Sequence, residues 1–226
     1  WSRGGMVRSD TTAKRITLIF TGAHHADGAD AILKTLRQEH VKGAFFLTGH
    51  FVENYPHIVR RLVRQGHYVG SHSYGHLLYF PWDGSRMNVT REEFEQDIRK
   101  SYSALEPYGV TIEKAPYFVP PYEHYNDTVS AWAADMGLKL INFTPGSTSN
   151  ADYTTPQMKN YRSSQTIYEN ILSLEQREGL NGHLLLFHIG TVEARTDKFY
   201  RSHLKMLIRE LKRRGYKINN LKKHTL

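Results

Sequence analysis

An α/β fold built on a parallel sheet is the prediction, and three observations carry it. Five helix-like segments each end in a glycine followed by an apolar or β-branched run. Several of those runs are apolar throughout, as strands covered on both faces must be. The 226 residues divide into seven such strands alternating with six helices, the grammar of β-α-β units.

The first strand is expected over 16–20 (ITLIF), ending in Thr21-Gly22-Ala23, and the helix over 28–40 follows. Lys42-Gly43 opens AFFLTG, placing a strand over 43–48, before a helix over 53–65. Gln65-Gly66 leads into HYVGSHS, a strand over 67–72, and a helix over 90–106 comes next. Tyr108-Gly109 precedes a short strand over 116–120, and Asn126-Asp127-Thr128 is a plausible cap for the helix over 126–136. Met136-Gly137 gives the strand over 138–143, and a helix over 165–178 leads to the apolar strand over 183–189. The last helix, over 198–214, carries Phe199, Leu204, Leu207, Ile208 and Leu211 as an i, i+3/i+4, i+7 stripe. Arg214-Gly215 then starts the final strand over 216–221. In each junction the glycine suits the left-handed position that stops a helix. An open doubly wound sheet and a closed or nearly closed barrel both fit this order. No G-x-G-x-x-G or G-x-x-x-x-G-K-[ST] follows a strand, which weakens a nucleotide-binding version. The Ser-, Thr- and Asn-rich stretch 144–165 reads as a functional loop within one domain spanning 1–226.

Composition narrows the function classes. A 39% hydrophobic content with 12% aromatics supports a real core. No apolar run approaches the ~18 residues of a membrane span. With no cysteine, disulfides and thiolate metal sites are excluded. The net charge of +8 is spread over helix faces, with a concentration at Lys212, Arg213, Arg214, Lys217, Lys222 and Lys223. No interleaved stacking aromatics accompany it, so no nucleic-acid partner is expected.

In either architecture the site lies at the carboxyl ends of the strands. Seven of the 13 histidines fall there: His24 and His25 after the first strand, His50 after the second, His72 and His76 after the third, His124 after the fourth, and His188 ending the sixth. His72 and His76, spaced i, i+4, can reach one metal if the chain makes a helical turn there. Nitrogen and oxygen donors without cysteine suit zinc or another first-row divalent ion. His188 closes an apolar strand and is a candidate acid/base group. Pro120-Pro121-Tyr122 is rigid enough to aim the Tyr122 N–H at a developing oxyanion.

Taken in order over 16–221, these segments resemble the polysaccharide deacetylases of the NodB-homology family. The carriers are His72-Ser73-Tyr74-Gly75-His76 for H-S/T-x-x-H, Leu184-Leu185-Leu186-Phe187-His188 for the late leucine-rich strand, and Val119-Pro120-Pro121-Tyr122 for R-P-P-Y. The resemblance implies a distorted, incomplete (β/α)7 TIM-like barrel with parallel strands. It also implies a divalent metal ion, zinc first, bound by His72 and His76, with His188 as general acid and the Tyr122 amide as oxyanion donor. The implied partner is an acetylated polysaccharide or cell-wall glycan, met outside the cell membrane, extracellular or periplasmic. Three departures stand out. The family's T-F-D-D-G reads Ile19-Phe20-Thr21-Gly22-Ala23 here, its motif arginine is Val119, and its fifth-strand aspartate-tryptophan region is the loop carrying Asp152-Tyr153. Both working aspartates are therefore replaced, by Thr21 and Gly22. We expect His24 to complete the metal set, Asp27 or a neighbouring histidine to act as base, and His25, Pro121, Glu123 and Asp152 to meet substrate. The alternative expectation is a catalytically impaired glycan-binding domain on the same fold.

Overall fold

The structure is a computed structural model that describes residues 1–221. Lys222 and Lys223, part of the C-terminal basic group, lie outside the described residues. Seven parallel strands carry the fold: β1 (Arg15–Gly22), β2 (Ala44–Leu47), β3 (Tyr68–Ser71), β4 (Tyr117–Phe118), β5 (Lys139–Leu140), β6 (Leu184–His188) and β7 (Lys217–Ile218). The order is β5-β4-β3-β2-β1-β6. β7 pairs with the start of β1 through Arg15 and Ile16, below the stretch of β1 that pairs with β6. The sheet curls into a half-barrel whose open seam lies between β5 and β6. The N-terminal segment lies along that seam: the Met6 N–H donates to the Leu140 carbonyl on one side, and the Ser9 N–H to Gly182 on the other. The expected incomplete barrel is the one observed.

Helices α1 (Ala29–Gln38), α2 (Gly49–Asn54), α3 (Pro56–Arg64), α4 (Arg91–Leu105), α5 (Asp127–Asp135), α6 (Ser164–Glu178), α7 (Phe199–Ser202) and α8 (Leu204–Arg213) cover the outside of the sheet. Two helices differ from expectation. The segment over 53–65 starts in the end of one helix and continues as α3, because Pro56 suits only a helix start. Ahead of it sits a separate short helix, α2, capped by the Thr48 hydroxyl accepting from the Phe51 N–H at 3.1 Å. The helix over 198–214 breaks at His203, so Phe199 and Leu204 belong to different helices, though both are buried. The C-terminal basic residues form a solvated helix face: Arg213 and Arg214 both bond Glu210.

The strands are apolar because both faces are covered. Along β1, Leu18 and Phe20 face the helices, where Phe20 stacks on Phe45 at 4.9 Å. By alternation Thr17, Ile19 and Thr21 face the barrel interior. Thr21 is in register with Phe46 and His188, so Thr21 and His188 share that face. Gly22 points the other way, into Ile189, Leu47 and Phe51, where an added Cβ would stand 2.7 to 3.1 Å from their side chains. Gly22→Ala is therefore expected to cost about 1–3 kcal/mol by overpacking, read from chemical denaturation. An unchanged midpoint would show that these three side chains give way freely.

Candidate active site

The loop after β3 builds the histidine pair, and it is not the helical turn its spacing suggested. Ser73 and His76 both take left-handed backbone angles, φ 70° and 56°. Side chains hold this strained loop in place. Asp97 of α4 accepts from the Tyr74 and Gly75 N–H groups at 2.8 and 2.9 Å, and the Ser73 hydroxyl accepts from the His76 N–H at 3.0 Å. The Gly49 N–H at the start of α2 donates to the Ser73 carbonyl at 3.0 Å. Only glycine fits there, since a Cβ on Gly49 would stand 1.9 Å from the Tyr74 ring.

The result brings the His72 and His76 rings to 5.0 Å between centroids. His72 Nδ1 lies 2.7 Å from the Val119 carbonyl. A carbonyl only accepts, so Nδ1 carries the proton and Nε2 keeps its lone pair, the arrangement a metal-ligating histidine requires. Burial keeps both rings neutral: the His72 pKa is held well below the ordinary value, first by desolvation and then by the His76 charge. His76 is lowered to about 4, by burial and then by His24 and His188. The His24 ring stands 6.3 Å from His76, with its loop fixed by the Tyr55 hydroxyl on the His24 carbonyl at 3.0 Å. Among the described residues no three His, Asp or Glu side chains stand close enough to hold a metal ion. The His72 tautomer and the neutrality of both rings fit two nitrogen ligands of a divalent ion. The third position expected of His24 is not assembled.

Across the barrel mouth His188 ends β6. Its Nδ1 lies 2.6 Å from Asp152 Oδ1, and its backbone N–H donates to Asp152 Oδ2 at 2.9 Å. Burial alone would lower the His188 pKa, but the Asp152 charge and hydrogen bond outweigh it, with Glu123 adding, and the net shift is upward. Asp152 is only 2% exposed. It therefore orients His188 and does not meet substrate, which corrects the role expected for it. The turn Ser149–Tyr153 that carries it is clamped by Arg195, wholly buried, which donates to the carbonyls of Thr154 and Arg162 at 2.5 and 3.1 Å. Apart from Asp197, two residues on, the partners of Arg195 lie 31 to 44 residues away, so the sequence around it does not announce this clamp.

The Pro120-Pro121 corner enters the turn Pro121–Glu123, where Tyr122 takes φ 58°. Glu123 and His124 donate their N–H groups back to Pro120 and Pro121, a pair of bonds that passes over the Tyr122 amide. The Tyr122 ring lies against His76 at 4.4 Å. Pro121 is buried and presents no surface to a ligand, against expectation. Glu123 is half-buried, and its carboxyl is pushed up to about 7 by burial, with Asp152 raising it and His188 opposing.

Asp27 is not available as a base, a second correction. Oδ1 accepts from the Thr191 N–H at 3.0 Å, and Oδ2 takes the Tyr200 hydroxyl and lies 3.1 Å from Lys198 Nζ. Burial pushes its pKa up, but these three partners outweigh it and the net shift is downward. Asp27 instead fastens the β1–α1 loop to the segment after β6. His25 lines, with Asp27, Tyr55, His57 and Arg61, a broad cleft of about 890 Å³. None of His72, His76 and His188 lines this cleft. The chemistry, not the volume, marks the reaction centre.

Comparison with known proteins agrees with this layout. The family model described as Polysaccharide deacetylase matches residues 8–141. A peptidoglycan-N-acetylglucosamine deacetylase of Bacillus cereus is 28% identical over 130 residues, covering 57% of this chain and 44% of that protein. The match therefore spans less than half of that relative. A second B. cereus protein of the same description is 23% identical over 90% of this chain and 84% of its own length. Among solved structures, a peptidoglycan N-acetylglucosamine deacetylase superposes with TM-score 0.78 at 22% identity, covering 98% of this chain and 92% of its own. A CE4 family pseudoenzyme from Bacillus anthracis superposes at 0.75, also with 22% identity, over 99% of this chain and 69% of that one. At such identities the structural matches speak to the fold alone.

Proposed function

The chain belongs to the polysaccharide deacetylase family, and from that premise we propose that it removes acetyl groups from a cell-wall glycan by metal-assisted hydrolysis outside the cell membrane. One observation carries the reading: a neutral His72–His76 pair, with the His72 tautomer fixed by the Val119 carbonyl, lies within electrostatic reach of the His188–Asp152 couple. His72 and His76 would hold the ion, zinc first, and His24 is the nearest further imidazole to join them. When bound, such an ion supplies Lewis acidity to the acetyl carbonyl and to water.

The chain's own groups do the rest. Asp152 holds the proton on His188 Nδ1, so Nε2 faces the site as the acid that protonates the leaving nitrogen or oxygen. The Tyr122 amide is the oxyanion donor of this scheme. The weak point is the base. Thr21 stands where the family base would be, on the same sheet face as His188, and its buried hydroxyl has no hydrogen-bond partner. A hydroxyl cannot take a proton from water at neutral pH, and Asp27 is engaged elsewhere. Turnover slower than that of a carboxylate-equipped site is the consequence.

A second reading, a glycan-binding domain with impaired catalysis, is favoured by Gly22. The space beside it is filled by Ile189, Leu47 and Phe51, so the strand end has been repacked without room for a carboxylate. Acetate release from N-acetylglucosamine oligomers and peptidoglycan fragments by zinc-loaded protein separates the two. Acetate formed in step with enzyme concentration supports hydrolysis, and glycan bound without acetate supports the second reading.

A further inference from the structure

A ladder of aromatic rings leaves the reaction centre and takes no part in the chemistry above. It starts where Tyr122 lies against His76 and continues to Trp82, whose ring meets Tyr122 edge-on at 6.4 Å and 82°. Trp82 then packs on His124 at 4.1 Å with a 37° tilt, and His124 stacks on Phe80 at 4.0 Å and 28°. Phe80 is 4% exposed, whereas Trp82 is 66% exposed and Tyr122 45%. Leaving an indole face in water forfeits the burial energy that normally makes tryptophan a core or interface residue.

The exposure is built rather than incidental. Tyr79 and Phe80 anchor the loop between β3 and α4 in the core. The Asn88 N–H closes that loop on the Tyr79 carbonyl at 2.7 Å. A turn then presents Trp82 at the tip, with the Gly84 N–H on the Pro81 carbonyl at 3.0 Å and Gly84 at φ 70°. Behind the indole, His124 is held neutral, since burial first of all lowers its pKa. The platform is thus rigid, uncharged and apolar. Beside it opens a cleft of about 470 Å³ lined by Phe80, Trp82, His124 and Phe143, with Arg3, Asp83 and Glu123 as its charged groups.

We propose that this ladder is a sugar-stacking subsite, holding a pyranose ring of the glycan one or more residues along the chain from the acetyl group at His72 and His76. The identity of the occupant rests on the deacetylase reading. A β-linked pyranose with equatorial substituents turns a face of axial C–H groups outward. Such a face packs on an aromatic ring and leaves the hydroxyls at the edge for partners such as Asp83 and Arg3. A neutral sugar needs no counter-charge, and the stacking rings themselves offer none, the charged Arg3, Asp83 and Glu123 lying in the cleft beside them. Continuity with the centre fixes the direction, because His76 and Trp82 are joined through the one ring of Tyr122.

The test is binding of N-acetylglucosamine dimer and pentamer by calorimetry, with wild type, Trp82→Ala and Trp82→Phe. Wild type is expected to bind the pentamer more tightly than the dimer. Trp82→Ala removes that gain, weakening the pentamer roughly three- to tenfold with the dimer unchanged, and Trp82→Phe keeps most of it. Fluorescence gives an independent reading. The pentamer shifts the wild-type tryptophan emission to the blue, and Trp82→Phe, which retains Trp1 and Trp132, loses the shift. Equal weakening of dimer and pentamer, or an unchanged pentamer affinity in Trp82→Ala, overturns the proposal. So does a wild type that binds neither oligomer at millimolar concentration. Because binding alone is read, absence of acetate release with the length effect intact would sink the hydrolase reading and leave the subsite standing.

Discussion

Replacing His72 by alanine is expected to abolish stoichiometric uptake of zinc and to cut acetate release roughly a thousandfold or more. The reason is specific to this residue. His72 is the more buried of the pair, and its tautomer is fixed by the Val119 carbonyl, so its Nε2 is the better defined donor. The substitution also strands that buried carbonyl, at a cost of about 1–3 kcal/mol in stability. His72→Gln is the companion variant, because its amide can still donate to Val119 while lacking an imidazole. Full zinc uptake by folded His72→Gln would remove His72 from the ligand set.

The second large effect concerns Asp152. Asp152→Asn should lower kcat by roughly two to three orders of magnitude and move the basic limb of the pH profile to lower pH. A general acid must be protonated, so activity falls as pH rises through the pKa of His188. Asp152 holds that pKa above its ordinary value despite burial, and removing its charge brings it down. The same linkage has a stability side. A histidine with a raised pKa contributes stability that is full below its unfolded value and is lost as pH climbs through the folded one. The mutant should therefore lose stability mainly below that window, and its unfolding free energy should vary less with pH across it. A basic limb that stays in place would assign the profile to some other group.

The fold was legible because its signals are local. Glycines after α3, α5, α6 and α8 and strands apolar on both faces are decided within a few residues, and β1, β2, β3 and β6 lie where those runs are, although after α1 the left-handed position falls to His40 and not to Gly43. The short helix α2 escaped because six residues carry too little periodicity. Its cap, Thr48, belongs to the preceding strand run, and the need for Gly49 arises only from the Tyr74 ring. The break at His203 escaped for a related reason, since the apolar stripe continues across it.

The site was legible in part. His72, His76 and His188 were visible as strand-end histidines, and the structure carries them to one barrel mouth. Their pKa values, tautomers and partners were not visible, because each depends on a group far along the chain. Asp152 meets His188 across 36 residues, and Asp27 is drawn off by Thr191 and Tyr200, which lie 164 and 173 residues away. A polar residue near a predicted site has no local mark that tells a positioning role from a chemical one. The loss of both first-strand carboxylates was plain in the sequence. That the side of Gly22 is occupied by Ile189, Leu47 and Phe51 required three-dimensional packing to see.

The central claim is that a histidine-based metal centre survives here without those carboxylates. Isothermal titration of metal-free wild type with zinc addresses it most directly. The account predicts one ion per chain with micromolar or tighter affinity, proton release on binding kept small by the already neutral imidazoles, and loss of the signal in both His72→Ala and His76→Ala. Absence of saturable zinc uptake by folded wild type, or uptake unchanged in both variants, would contradict it.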